Sequence, residues 1–215
     1  MKTLLGLFAF GASVALAAAP QSAPPPAANL AQLIQSHYTA VKDFTADFTH
    51  TYKGGLLPQT SVEYGKVKIK KPGRMRWSYT KPEVKEIVAD GKILYTYIKA
   101  DKVCYVSDLP AGNDAPTALL FLTGRGDLMR DFKSALAPSQ SATEWRLQLT
   151  PIRKEADFTQ LTIGVDPKSL RMTTLESLDA DGGKSAFAFA NLRENTDVPD
   201  KEFFFTPPKG CDVIR

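Results

Sequence analysis

The chain has 215 residues, 27 Lys and Arg against 23 Asp and Glu for a formal charge of +4, and 43% hydrophobic residues. That length suits one domain with a real core. A balance so close to neutral, with its charges scattered, excludes the basic stripe of a nucleic-acid binder and licenses only a mild attraction to anionic partners.

Met1-Lys2 precedes an apolar run from Leu4 to Leu16 and the tripeptide Ala15-Leu16-Ala17. A positive start, a short greasy stretch and an Ala-x-Ala site make a secretory signal peptide over 1–17, cleaved after Ala17. The run is too short to be a membrane anchor, which needs ~20 residues. No Cys follows it, which argues against lipidation of the chain itself. Residues 18–28, AAPQSAPPPAA, are too poor in large apolar groups to pack and are expected to form a flexible tether. The domain proper is then 29–215. Loss of Lys2 with the leader lowers the formal charge to +3.

Asn29 is a good N-cap, and Leu30, Leu33, Ile34, Tyr38 and Val41 follow at helical spacing, predicting an amphipathic helix that ends near Lys42. The period then changes to two. Phe44, Ala46, Phe48, His50 and Tyr52 alternate up to the Gly54-Gly55 break, and Val62, Tyr64, Val67 and Ile69 continue in strand fashion. Further strands are predicted over 74–79, 86–89, 93–98 after the Asp90-Gly91 turn, and 103–106. The pattern stops at 115–122, APTALLFL, a short apolar piece closed by Gly124-Arg125-Gly126. Asp127 can cap a second helix over 128–136, with Leu128, Phe132 and Leu136 on one side. Strands resume over 145–149, 158–165, 170–178 and 186–192, and a last one is predicted over 203–206 before Pro207-Pro208. The fold class is therefore mainly β with some α. About ten to eleven antiparallel strands, interrupted once by helices, imply an incomplete, half-open barrel whose concave face only helices can cover.

The two cysteines, Cys104 and Cys211, face an oxidising compartment after export. Joined, they close a loop of about a hundred residues, worth ~4–5 kcal/mol in the chain-entropy model. Two free buried thiols are the alternative. Neither has metal-ligand spacing with His37 or His50, so no metal is expected.

Catalysis needs a constellation that this chain lacks. There is no His-Glu-x-x-His, no Gly-x-Ser-x-Gly and no phosphate-cradling glycine loop. Ser78-Tyr79-Thr80-Lys81 fits Ser-x-x-Lys but straddles a strand end, and His37 and His50 read as surface or edge residues. Neither an enzyme nor a cofactor is expected.

The most informative stretch is 67–97, VKIKKPGRMRWSYTKPEVKEIVADGKILYTY. Met75, Trp77 and Tyr79 alternate with Arg74, Arg76 and Ser78, so one face is apolar and the arginines point to the solvent side. That apolar face is either core or the wall of a cavity.

KKPGRMRWSYTKP followed by IVADGKILYTY resembles the signature region of the LolA family of periplasmic outer-membrane lipoprotein carriers. APTALLFLTG is similar to that family's lid helix, and FANLRENTDVPDKEFFFTPPKGCDVI is similar to its closing pattern. The resemblance covers essentially the whole mature domain. It implies a periplasmic protein with a half-open barrel and a helical lid over an apolar cavity. It also implies a role in shielding lipoprotein acyl chains on their way from inner to outer membrane.

Carried over, Leu119, Leu120, Phe121 and Leu122 become the lid, and Met75 and Trp77 stand at the hydrophobic site or its rim. Alternation and family position add Leu30, Leu33, Ile34, Phe48 and Tyr79 as cavity residues. Many members carry Arg just before the motif's Pro as a latch on lid backbone. Here Lys71 holds that place, with three donors but no planar fork.

Each buried CH₂ is worth ~0.8 kcal/mol, so several shielded chains supply on the order of 10 kcal/mol. Without a nucleotide site the chain cannot drive a cycle. The resemblance implies loading by an ATP-driven inner-membrane transporter and unloading to a LolB-like outer-membrane acceptor or the bilayer, with the carrier a monomer. Three rivals remain: a carrier of another lipid such as a glycolipid or lipid conjugate, an envelope-stress sensing module, and a β-domain whose aromatics are all core.

Overall fold

The computed structural model describes residues 23–55, 59–109, 126–154 and 158–215. Helix α1 (Ala27–Ala40) leads into β1 (Asp43–Lys53), β2 (Thr60–Lys70), β3 (Arg74–Lys81), β4 (Lys85–Asp90), β5 (Ile93–Ile98) and β6 (Val103–Asp108). A one-turn helix α2 (Leu128–Asp131) runs into β7 (Phe132–Leu136), followed by β8 (Trp145–Pro151), β9 (Gln160–Val165), β10 (Met172–Leu178), β11 (Lys184–Glu194), and, after a 3-10 turn (Asp200–Phe203), β12 (Asp212–Ile214).

The described strands form one sheet in the order β12-β6-β5-β4-β3-β2-β1-β11-β10-β9-β8-β7. Its two ends, β12 and β7, do not meet, so the barrel is incomplete as expected. Neighbours are antiparallel throughout except β12, which runs parallel to β6. The long strands β1, β2 and β11 form the middle. One face of the sheet packs on α1, and there lies the core: Phe44, Phe48, Val67, Ile69, Met75, Trp77, Leu147, Ile163 and others against Leu30, Ala31, Ile34 and Tyr38.

Helix α1 starts two residues before the expected cap. Pro26 takes the N-cap place without any side-chain cap, and Leu30 N–H donates to Pro26 O at 2.9 Å. The reason is local: three consecutive prolines deliver an extended chain, and Ala27-Ala28 are strong helix formers, so the last two residues of the supposed tether are helical. At the other end the helix stops at Ala40, because Val41 turns extended and is buried. Leu30, Ile34 and Tyr38 share the inward stripe at i, i+4, i+8, whereas Leu33 is 44% exposed and lies off it.

The second predicted helix is a correction. Asp127 caps as expected, its carboxylate accepting from Met129 N–H at 2.8 Å and Arg130 N–H at 2.9 Å. After one turn the chain becomes β7, pairing Phe132 with Pro151 and Leu136 with Leu147. Offsets of four put residues on one face of a strand as well as of a helix, and the open edge of β8 offers unpaired backbone groups that a second helical turn could not satisfy.

The predicted strand over 203–206 is also corrected. The segment is a strap across the outer face of the sheet: Phe203 is fully buried, and Phe205 lies 5.5 Å from the Tyr95 ring and 6.1 Å from the Tyr97 ring. Pro207 and Pro208 have no N–H for a ladder. The true last strand is β12, held beside β6 by the Cys104–Cys211 disulfide, whose Cα atoms are 6.2 Å apart. Beneath this strap, Arg74 pairs with Asp200 at 2.8 Å, Lys70 with Asp200 at 2.5 Å and Lys68 with Glu202 at 2.5 Å. Arg76 reaches Glu86 at 3.5 Å. Alternation did set the arginines opposite Trp77, but the strap and its acidic residues cover them, so they are paired and half-buried rather than bare to solvent.

Candidate apolar site and its latch

The candidate site grows from the pleat. Phe48 on β1 faces Gly65 on β2, and a Cβ on Gly65 would collide with the Phe48 ring and with the Ser78 carbonyl. A glycine mid-strand costs intrinsic stability, yet here it lets the ring lie flat over the neighbouring strands. The Phe48 ring meets Trp77 at 5.2 Å, Tyr79 at 4.9 Å and Phe187 at 5.8 Å, all edge-on. Trp77 in turn lies 5.1 Å from Phe187 and 6.3 Å from Phe189. Such pairs contribute ~0.5–1.5 kcal/mol each beyond area burial. Burial, aided by the Glu63 charge, pushes the Tyr79 phenol far up, so it stays neutral. Aromatic side chains of β1, β3 and β11 thus form one continuous wall.

Leu30, Ile34, Phe48, Met75, Trp77 and Tyr79 all lie on this face, each at most 8% exposed. Leu33 does not join them. Leu119, Leu120, Phe121 and Leu122 lie outside the described residues. Phe187 and Phe189 were missed as site residues, although the run Ala186-Phe187-Ala188-Phe189-Ala190 carried the signal: large residues inward, small ones outward. What it lacked was the partner strand, since β11 reaches the wall only by pairing with β1 (Phe48↔Phe189, His50↔Phe187).

Helix α1 packs closely on one part of this face. Under it, between Ile34 and Tyr38 on the helix and Phe44, Met172 and Leu192 on the sheet, the enclosed space is about 10 Å³, room for no more than one water. Lys71 holds the C-terminal end of α1. Its Nζ donates to Tyr38 O and sits 3.6 Å above the Tyr38 ring. A cation there meets the negative end of the helix as well as the ring face. Burial pulls the Lys71 ammonium from its ordinary 10.5 down to about 8, against the nearby Glu194 carboxylate, which raises it. The backbone that Lys71 grips is therefore that of α1. Glu194 also accepts from His37 at 2.9 Å and pairs with Arg171 at 3.5 Å, tying the same helix end to β11. Asp43, 2% exposed, accepts from Thr196 N–H at 2.8 Å, which fixes the start of β1 beside this latch.

At the opposite end of the wall stands a polar group that sequence reading took apart. His50 is not an edge residue: β1 is central, and the ring stacks on Phe187 at 4.1 Å. Its Nδ1 donates to Glu63 at 3.0 Å and its Nε2 accepts from the Ser185 hydroxyl at 2.7 Å. The Lys85 ammonium donates to Glu63 at 2.7 Å and lies 4.0 Å over the Tyr79 ring. Burial lowers the His50 pKa despite the pull of Glu63, so the imidazole is neutral at neutral pH. For Glu63, burial acts upward but is outweighed by the hydrogen bonds from Lys85 and His50, leaving the carboxyl ionised.

Comparison with known proteins agrees with this architecture. Residues 39–206 match the family described as "Outer membrane lipoprotein carrier protein LolA". An outer-membrane lipoprotein carrier protein of Cupriavidus pinatubonensis is 32% identical over 208 residues, spanning 95% of this chain and 96% of that one. One from Cupriavidus taiwanensis is 34% identical over 208 residues with the same coverage. Among solved structures, an uncharacterized conserved protein from Thermus thermophilus superposes with a TM-score of 0.53 at 14% identity, covering 86% of this chain and 98% of its own, a likeness of fold alone. An open sheet walled with aromatics, a helix latched into it and a match over most of the chain lead to one conclusion: the chain belongs to the LolA family of outer-membrane lipoprotein carrier proteins.

Proposed function

We propose that the protein is a periplasmic carrier that shields lipoprotein acyl chains against the aromatic wall and ferries them to the outer membrane. The observation that carries this reading is the wall itself: a continuous row of Phe48, Trp77, Phe187 and Phe189 on the concave face of a sheet that never closes. Residues 1–17 direct export, with cleavage after Ala17, and the remaining residues before α1 serve as a tether. Helix α1 acts as a flap, together with the segment holding Leu119, Leu120, Phe121 and Leu122, and Lys71 is its latch. Loading draws on an ATP-driven inner-membrane transporter, and release goes to a LolB-like acceptor or the bilayer. The protein itself performs no chemistry.

The energetics support displacement. Lifting α1 exposes Leu30, Ile34 and Tyr38, roughly 1.5–3 kcal/mol apiece. Each methylene that takes their place returns ~0.8 kcal/mol, so about six to eleven carbons of a guest offset all three, less than one long acyl chain. An empty, closed form and a loaded, open form then differ by only a few kcal/mol.

Native mass spectrometry of protein purified from its own periplasm tests the reading. Bound acylated lipoprotein is the expected outcome. Bound glycolipid or lipid conjugate in its place overturns it in favour of a carrier for that lipid, and a persistently empty protein overturns lipid transport altogether.

A further inference from the structure

The inner face of β1 changes character along its length. Phe44 lies under α1, Phe48 is the hub of the aromatic wall, and His50 begins the polar group with Glu63, Lys85 and Ser185. From Phe44 to His50 the strand runs about 20 Å. One leaflet's chains fill about half of the ~30 Å hydrocarbon core, so a chain whose head lies beside His50 and Lys85 runs back past Phe48 and most of the way to Phe44. A lipid is apolar for about that length and then presents ester or amide carbonyls.

We propose that His50, Glu63, Lys85 and Ser185 form a polar subsite that receives the ester and amide carbonyls at the head of the acyl chains and disfavours a phosphate headgroup. The proposal rests on the carrier reading above and adds which class of lipid head the site accepts. Three observations point to it. The side chains of His50, Glu63 and Lys85 are 15%, 16% and 27% exposed, so they stand half-buried on a face otherwise lined by aromatic rings, where an ion pair costs desolvation and a purely apolar wall would have been cheaper. Lys85 has three N–H donors. One goes to Glu63 and the ammonium rests on the Tyr79 ring, which leaves a donor without a partner among the described residues, beside the wall. Lastly, the group is electrically balanced: the Lys85 charge is cancelled by Glu63, and the imidazole, spent between Glu63 and Ser185, is neutral.

A balanced pair with one spare donor suits a neutral carbonyl oxygen. It offers no net charge to a phosphate, which would also meet the Glu63 carboxylate. Diacylglyceryl-modified cysteine has esters and no phosphate; membrane phospholipids have both. The subsite thus gives a physical means of taking acylated cysteine from a membrane in which phospholipid is abundant.

The test uses the full mature protein, stripped of lipid and loaded with an alkyl-pyrene that contains no carbonyl. Displacement is then measured with a synthetic tripalmitoyl-cysteinyl-serine peptide and with dipalmitoyl phosphatidic acid. The wild type is expected to prefer the peptide. Lys85→Met should lower peptide affinity about tenfold relative to alkyl-pyrene, the loss of one charge-assisted hydrogen bond. Lys85→Arg, which keeps charge and donors, should restore it. Glu63→Gln uncovers the Lys85 charge and should raise affinity for phosphatidic acid about tenfold. Peptide-to-phosphatidic-acid ratios within twofold of wild type in both variants overturn the subsite while leaving the carrier reading intact. Should Lys85→Met fail to fold, the Glu63→Gln ratio alone decides. A wild type that holds alkyl-pyrene but takes neither acyl lipid overturns the carrier reading itself.

Discussion

Phe48→Ala is the sharpest probe of the wall. The ring is 3% exposed, makes three edge-on contacts and lies flat over Gly65, so no neighbouring side chain is free to collapse into its place. Truncating a buried Phe costs ~3–5 kcal/mol, and poor collapse favours the upper half of that range. With an m-value of about 2 kcal/mol/M, the urea midpoint should fall by roughly 2–2.5 M with m unchanged. In an all-core β-domain that would be the whole effect. Here the vacated space opens on the face proposed to receive acyl chains, so uptake of a hydrophobic fluorophore by the folded fraction should persist or rise. The paired assay is urea unfolding by tryptophan fluorescence and probe binding well below the midpoint. A midpoint shift under about 0.5 M would refute the placement of Phe48 at the hub, and a normal shift with probe uptake lost would refute the wall as a binding surface.

Other outcomes follow from particular contacts. Gly65→Ala should cost roughly 1–3 kcal/mol by overpacking; adding it to Phe48→Ala should remain unfavourable, because the Ser78 carbonyl still blocks the new methyl, and full recovery in the double mutant would show that only the ring was in the way. For Lys71, the closed-state pKa of about 8 lies below the ordinary 10.5, so from pH 8 to 10.5 the folded protein has shed a proton that the unfolded chain keeps. Stability from this group is at its lowest below pH 8 and rises as pH climbs through that window. The difference in urea midpoint between wild type and Lys71→Met should therefore move in favour of the wild type between pH 7 and pH 10, and a constant difference would remove the buried ammonium from the account. Replacing Cys104 and Cys211 together by Ala opens a loop with a sequence separation of 107. It should lower stability by ~4–5 kcal/mol on the chain-entropy estimate and deprotect the β12 amides first in hydrogen exchange; equal protection of Val213 with and without the bond would contradict the pinning of that strand.

The alternation of Phe44, Phe48, Met75, Trp77 and Tyr79, the turn at Asp90-Gly91 and the cap at Asp127 were all legible in the chain, because pleat, capping and turn chemistry act over a few residues; Lys71 was singled out only by the family resemblance. They were enough for an open antiparallel sheet with a helix over its concave face. Whether 132–136 became strand or helix was not a local matter, since Phe132 and Leu136 satisfy both periods until the edge of β8 is present. Likewise, nothing near Phe187 says that it will lie against Trp77, and nothing near His50 names Glu63, Ser185 and Lys85 as its company. The meetings with Phe187 and Ser185 join residues up to 135 positions apart in sequence and exist only once β11 has paired with β1, while Glu63 comes opposite His50 through the β1–β2 pairing. Sequence by itself determined which faces are greasy; the tertiary register decided which greasy and polar residues share one wall, because only closure of distant strands brings their side chains within contact range.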